Sequence, residues 1–208
     1  SEKAIEYFAQ LGDIQSMLFC LGRSGEKLSI IDALEFVCEY APNSRFIEET
    51  LQKYIREIEP LGQFSWEDEL EKTPELDQLY NLCLKMGRSN KSNNPAMWYY
   101  TAAFMDDLYG NTARASRLLS LAEKSRSSDY IKESIKIFRI YLDAKLLPYD
   151  SYYENRLFSQ LKWLDTKIQS NIDDYVRKET ARGYMLFSYQ SYYYWNDMMR
   201  KIVIGTVV

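Results

Sequence analysis

The sequence predicts an all-α protein, and three observations carry that prediction. Apolar residues recur at spacings of three and four, while the alternation typical of strands is absent over any useful length. Glycine and proline are scarce, with 8 and 5 among 208 residues, as expected for helices joined by short connections. Several of them stand where a helix would begin or end. We therefore expect nine or ten antiparallel helices, packed in pairs.

The first part of the chain predicts three helices. They are residues 2–21 with a break at Gly12-Asp13, 28–41, and 44–58. Ser29 and Asp32 have the spacing of a capping box, in which each side chain bonds the other residue's backbone N–H. Gly22 is a candidate helix end. The third helix carries one apolar stripe, formed by Ile47, Leu51, Tyr54 and Ile58.

The middle of the chain predicts helices over 73–86, 95–109 and 112–126. Thr73-Pro74 and Asn94-Pro95 each place a capping residue before a proline at the first helical position, where the missing N–H costs nothing. Gly87 and Gly110 can end helices, because glycine readily adopts the left-handed conformation found there. The polar run over 88–94 is the predicted flexible break.

The last part predicts helices over 129–146, 150–169, 172–182 and 184–201. Two of them carry single apolar stripes: Ile131, Ile135, Phe138 and Leu142, then Leu157, Leu161, Leu164 and Ile168. Ser151 and Glu154 have capping-box spacing. Residues 184–199 are apolar and aromatic on every side, so this helix is buried between neighbours or contacts a partner.

Charge and composition exclude some classes of function. The net charge of −4 predicts no bulk attraction to nucleic acid or anionic lipid. Acids dominate residues 57–77 (eight acids, one base) and bases dominate 112–140 (seven bases, three acids). These runs are either solvated helix faces or the oppositely charged ends of a groove. No apolar run reaches the ~20 residues of a membrane span.

Nothing in the chain has the pattern of a catalytic, cofactor or metal site. It contains no histidine, which removes the commonest general base and zinc ligand. Residues 22–27 lack the spacing of a phosphate-binding loop. The acid pairs Glu67/Glu69 and Asp173/Asp174 lie at predicted helix starts, where acids stabilise the helix dipole. Cys20, Cys38 and Cys83 have no metal-ligand spacing and are expected to be buried free thiols. We therefore predict no enzymatic activity and no cofactor.

The chain is expected to form one helical domain over residues 1–208. It begins at Ser1 and ends in an apolar run from Ile202 to Val208, so both ends have the character of a cut within a longer protein. A cytoplasmic and a periplasm-facing location are both compatible with this interpretation.

Residues 95–128 resemble a tetratricopeptide repeat. Trp98 takes the large aromatic position of the first helix, Ala102 the small position where the helices approach, and Gly110-Asn111 the turn. Thr101 and Met105 depart from the family's preferences. The chain is also similar overall to uncharacterised helical-repeat proteins of gut Bacteroidetes. The resemblance implies helix pairs stacked as a right-handed α-solenoid.

In tetratricopeptide proteins the first helices line a groove that holds a peptide. Carried onto this chain, the resemblance implies Tyr99, Tyr100, Asp106 and Asp107 as partner-binding residues. Packing of Tyr99 and Tyr100 against a neighbouring helix is the alternative. The predicted function is a non-enzymatic protein-interaction scaffold with a protein or peptide partner. The alternative is a carbohydrate- or small-ligand-binding module that uses the Tyr/Trp clusters at 149–153 and 184–195.

Overall fold

A computed structural model describes residues 2–22, 29–51, 54–55, 73–89 and 91–182. All regular structure in these ranges is helical, which confirms the all-α prediction. The helices are α1 (Glu2–Leu11), α2 (Ile14–Gly22), α3 (Ile30–Tyr40), α4 (residues 45–51, with 54–55 also helical), α5 (Pro74–Arg88), α6 (Pro95–Leu108), α7 (Thr112–Glu123), α8 (Asp129–Leu146) and α9 (Ser151–Arg182). The right-handed solenoid arrangement stays a prediction.

The chain divides into two compact units. The N-terminal unit comprises residues 1–132 and the C-terminal unit residues 133–208, so the division falls within α8. The single domain over 1–208 stays a prediction, because two compact units can belong to one domain.

Two of the predicted helix starts are confirmed at atomic detail. The Asp32 N–H donates to Ser29 Oγ at 3.1 Å, and the Ser29 N–H donates to Asp32 Oδ2 at 3.3 Å. This reciprocal pair is the predicted capping box. At the start of α5, the Leu76 N–H donates to Thr73 Oγ1 at 3.2 Å, and Pro74 occupies the first turn. Both helices therefore begin where local side-chain chemistry satisfies their first N–H groups.

Asn94 precedes Pro95 at the start of α6, as predicted, but neither Asn94 nor Ser151 supplies a capping side chain. At α6 the Ala96 N–H donates instead to the carbonyl oxygen of Arg126 at 3.2 Å. At α9 the capping side chain belongs to Asp150, whose Oδ1 accepts from the Tyr153 N–H at 2.7 Å. A carboxylate is a stronger acceptor than the Ser151 hydroxyl, which explains the shift by one residue.

The glycines serve two different purposes. Gly12 and Gly110 have φ values of 69° and 74°, so they adopt the left-handed conformation and separate α1 from α2 and α6 from α7. Gly87 does not end its helix as predicted, because α5 continues to Arg88. A Cβ at Gly87 would lie 3.0 Å from the Tyr99 ring. The absence of a side chain there lets α5 and α6 approach closely.

The predicted interruption between 169 and 172 is also wrong. Helix α9 runs without a break for 32 residues, from Ser151 to Arg182. The intervening Ser170 and Asn171 are weak helix formers, but neither is a proline or glycine that would stop a helix. The predicted helix over 184–201 lies outside the described residues.

The core of the N-terminal unit centres on α6, which packs against both α5 and α7. Trp98, Ala102 and Met105 of α6 are fully buried, as are Leu79 of α5 and Leu119 of α7. Alanine at 102 keeps the helix axes close, while Trp98 supplies a large apolar surface. Burial of such side chains stabilises the fold by roughly 1.5–3 kcal/mol each.

In the C-terminal unit, α8 and α9 form one apolar cluster. Its members include Ile137, Ile140, Tyr153, Leu157 and Leu164. The predicted stripe on α8 is buried, and so is the one on α9 except for the half-buried Leu161. Helix α8 is buried on a second face as well, the one that carries Ile137 and Ile140. The apolar stripe predicted from the sequence therefore accounts for only part of the buried surface of α8.

The turn between α6 and α7 gives a testable prediction. Gly110→Ala is expected to destabilise the protein by about 1–2 kcal/mol, because a Cβ is strained at positive φ even in open space. The space is open: nothing lies within 4 Å of that Cβ. Gly110→Asn is the control, since asparagine tolerates this conformation better. Equal melting temperatures for Gly110→Ala and the wild type would contradict the prediction.

Candidate partner-binding surfaces

The two tyrosines predicted to contact a partner lie on α6 and are half-buried. The ring of Tyr99 lies against Gly87 of α5. Part of its surface is therefore used in packing α5 on α6, as the alternative interpretation of the sequence expected. Tyr100 is half-buried as well and makes further contacts inside the protein.

Asp106, the third predicted residue, is 1% exposed. Its Oδ2 accepts a hydrogen bond from Arg114 Nε at 2.9 Å and from the Tyr80 hydroxyl at 3.1 Å. The Arg114 guanidinium also lies 4.9 Å from the centroid of the Tyr80 ring. One carboxylate thus joins α5, α6 and α7. Burial is the main cause that raises the pKa of Tyr80.

Asp107, the fourth residue, lies in the last turn of α6. Its Oδ1 accepts from the Thr112 hydroxyl at 2.9 Å, across the Gly110 turn. Asp106 and Asp107 therefore take part in contacts between helices, and the two tyrosines are partly covered. The direct role of these four residues in partner binding stays a prediction. Tyr80 and Arg114 contact Asp106 from α5 and α7. The spacing of residues within α6 therefore could not predict them as its partners.

The large exposed apolar side chains of the C-terminal unit include four at the end of α8, in the connection to α9 and in the first turn of α9. Leu146, Leu147, Tyr149 and Tyr152 are 41%, 39%, 61% and 77% exposed. We call these four residues the α8–α9 patch. Tyr149 and Tyr152 belong to the aromatic cluster that the sequence singled out, whereas Tyr153 of that cluster is buried. The Tyr149 and Tyr153 rings meet edge to face, with centroids 6.2 Å apart.

Charged contacts join the helices next to the α8–α9 patch. Arg156 Nη2 on α9 donates to Asp143 Oδ2 on α8 at 2.7 Å. The same guanidinium lies 5.8 Å from the centroid of the Tyr153 ring. Burial, and then the nearby Asp143 carboxylate, raise the pKa of Tyr153. The helices that present the patch are thus fixed to each other directly beneath it.

Further along α8 and α9, a second charged cluster joins the two helices. The Lys167 ammonium is paired with the Glu133 carboxylate. Lys136 Nζ lies 3.8 Å from the centroid of the Trp163 ring. These contacts lie at the edge of the apolar cluster, against which Trp163 packs, at a position where water reaches one side.

The described residues contain no cluster of potential metal ligands: no group of three or more His, Cys, Asp or Glu there could hold a metal ion. The sequence 22–27 and the pair Glu67/Glu69 lie outside the described residues, apart from the backbone of Gly22. Asp173 and Asp174 lie within α9 rather than at a helix start. No helix in the described ranges has the length and apolar character needed to cross a membrane.

The three cysteines are free thiols, as predicted, but only two are buried. Cys38 and Cys83 are 3% and 0% exposed, whereas Cys20 is half-buried. Burial raises the pKa of Cys38 to about 12. Burial also raises the pKa of Cys83, whose side chain is completely buried. Both groups therefore remain neutral thiols in the folded protein at neutral pH.

These two thiols make stability depend on pH in the alkaline range. Their pKa values are higher in the folded state than the ordinary value of 9.0. Their stabilising contribution is therefore complete below pH 9 and is lost as the pH rises from 9 toward 12, where the unfolded state gains thiolate. Urea unfolding of the wild type and of Cys83→Ala from pH 8 to 10.5 should show the steeper decline in the wild type. Parallel declines would contradict this assignment.

Comparison of the chain with protein families, with curated proteins and with solved structures finds no match.

Proposed function

We propose that this chain is a non-enzymatic protein-interaction module, in which the α8–α9 patch contacts a protein partner. The observation that carries the proposal is the exposure of Leu146, Leu147, Tyr149 and Tyr152 within seven residues of chain. Large apolar side chains exposed together favour association, because contact with a partner removes their surface from water.

The composition of the patch fits a protein partner. Tyrosine supplies broad apolar area with few rotatable bonds, and its hydroxyl tolerates both water and contact. Tyrosine is for this reason enriched among the residues that dominate binding energy. Lys145 directly precedes the patch in sequence, Asp150 lies between Tyr149 and Tyr152, and both are exposed. They supply polar groups of the kind found at the rim of interfaces.

The contacts between α8 and α9 next to the patch favour binding of a partner without a conformational change. Tyr153 is buried directly after the exposed Tyr152, and Arg156 joins α9 to Asp143 of α8. A surface fixed in this way loses little conformational entropy on binding. The alternative, a carbohydrate platform, would use several of four aromatic residues on one face. Of these four, Tyr149 is exposed, Tyr153 is buried, and Tyr192 and Trp195 lie outside the described residues.

The test compares the full chain with the double variant Tyr149→Ser/Tyr152→Ser. A partner is first identified by cross-linking in the source cell, and its affinity for the purified chain is then measured by titration calorimetry. The double variant should bind at least about tenfold more weakly.

Phe158→Ser is the matched control, because Phe158 is a 70% exposed aromatic residue on the same helix and lies outside the patch. It should bind like the wild type. Equal affinity of the double variant and the wild type, or an equal loss in the control, would overturn the proposal. Light scattering adds a second readout: a dimer that the double variant abolishes would identify a second copy of the chain as the partner.

A further inference from the structure

Three connections between helices meet at one cleft in the N-terminal unit. They are the connections from α3 to α4, from α5 to α6 and from α7 to α8. The cleft has a volume of about 700 Å³ and is lined by residues within 42–48, 92–97 and 125–132. We call it the connection cleft. Its volume is in the range of small-ligand sites, and none of its lining residues belongs to the α8–α9 patch.

Hydrogen bonds join the three walls of the cleft. The Asn93 N–H donates to Asn43 Oδ1 at 2.7 Å, which connects the first wall to the second. Arg126 Nη2 donates to the Ser92 carbonyl oxygen at 3.4 Å, and the Arg126 carbonyl accepts from Ala96. These bonds connect the second wall to the third, so the cleft is formed before any ligand arrives.

Ser92 is the centre of this arrangement. It is only 3% exposed, although the sequence around it is entirely polar and predicts a flexible break. Its Oγ accepts from Trp98 Nε1 at 3.3 Å and from the Asn94 N–H at 3.1 Å. The connection is therefore anchored to the core of the unit through the indole of Trp98.

The chemistry of the lining favours an anionic ligand that is rich in hydrogen-bonding groups. Eight of the fifteen lining residues are serine or asparagine, and three carry positive charge, namely Arg45, Arg126 and Lys132. Glu48 is the one acid among these described lining residues. The exposed pairs of Arg45 with Glu49 and of Lys132 with Asp129 contribute little to stability. Their cations can therefore exchange those partners for a ligand.

One further atom of the cleft wall indicates that the ligand carries a hydrogen-bond donor. Asn94 Oδ1 is buried in the cleft wall and has no hydrogen-bond donor among the described residues. A buried acceptor without a donor costs free energy, which a ligand N–H group would recover. An acidic peptide carries both kinds of group close together, because its side-chain carboxylates alternate with backbone N–H donors.

We propose that the connection cleft binds an acidic peptide segment. Its carboxylates pair with Arg126, Lys132 and Arg45, and a backbone N–H donates to Asn94 Oδ1. The net charge of the whole chain is −4, so general electrostatics oppose the binding of such a peptide. Binding would therefore report on the local charge of the cleft. This site is separate from the α8–α9 patch, and its test can fail or succeed independently.

The probe is a fluorescent octapeptide of alternating glutamate and glycine, titrated with the full chain and followed by anisotropy. Its glutamine counterpart has the same length and no side-chain charge. The glutamate peptide should bind at least about tenfold more tightly than the glutamine peptide, and raising the salt concentration should reduce the difference. Equal binding of both peptides, or binding of neither, would overturn the proposal.

Two variants locate the site. Lys132→Gln should weaken binding about threefold, as expected for one exposed ion pair. Asn94→Asp should weaken it at least about tenfold, because it places a like charge against the peptide. Asn94 makes no side-chain cap and its Oδ1 is buried, so circular dichroism and a melting curve of this variant verify that it is folded before its affinity is measured.

Arg117→Gln is the matched control. It removes one positive charge from an exposed position on α7 that does not line the cleft. It should bind the glutamate peptide as the wild type does. A loss as large as that of Lys132→Gln would show that overall charge, rather than the cleft, attracts the peptide, and would overturn the proposal.

Discussion

Replacing Trp98 with alanine is expected to lower the free energy of unfolding by about 3–5 kcal/mol. Its side chain is completely buried, and α6 packs between two other helices. The substitution removes the largest fully buried side chain of the described residues and leaves a cavity in its place. It also removes the indole donor to Ser92. Urea unfolding followed by far-UV circular dichroism measures the loss.

Trp98→Phe separates the two contributions. It keeps an aromatic ring in the core but removes the N–H, so it should cost less, about 1–2 kcal/mol. It should also increase amide hydrogen exchange over residues 91–94, because the Ser92 hydroxyl loses a partner. A loss below about 1 kcal/mol for Trp98→Ala would contradict the central place given to this residue.

Arg114→Met is expected to cost about 3 kcal/mol, the lower end of the range for breaking a buried pair. The Asp106 carboxylate is 1% exposed, and the variant leaves it buried without its cation. The lower end applies because the Arg114 side chain is itself 50% exposed, so water can approach in its place. Urea unfolding measures this loss as well.

Arg117→Met is the matched control on the same helix, at an exposed position. It should change stability by no more than about 0.5 kcal/mol. Adding Asp106→Leu to Arg114→Met should recover part of the loss, because the unpaired charge disappears with its carboxylate. A double variant less stable than the sum of both single variants would contradict this account of the pair.

Local patterns in the sequence predict most of the helices. The capping box at Ser29, the Thr73-Pro74 start and the Gly110 turn depend on residues within a few positions, so the sequence contains the whole signal. The predicted break after Gln169 is wrong because it also depends on a local pattern, and here that pattern is ambiguous. Polar residues at 170–171 resemble a connection, but without proline or glycine they continue a helix that tertiary contacts already support.

The candidate sites depend on contacts that no local pattern contains. The tetratricopeptide resemblance implies a groove position for Asp106, yet its partner Tyr80 is 26 residues away in sequence. The connection cleft unites Asn43, Asn93 and Arg126, which lie in three separate connections. The exposure of Tyr152 beside the buried Tyr153 depends on where α8 lies, and the spacing of tyrosines in the sequence does not specify that.

The order of contacts within the N-terminal unit has a consequence for how it folds. Helix α1 packs on α2, α5 on α6 and α6 on α7, so many of its contacts join segments that are close in sequence. Contacts between segments close in sequence form early, because closing a short loop costs little entropy. The bonds at Ser92 and Asn93 instead close long loops, to Arg126 and Asn43. We therefore expect helix pairing to precede closure of the loops around Ser92, which would place these bonds after the rate-limiting step of folding.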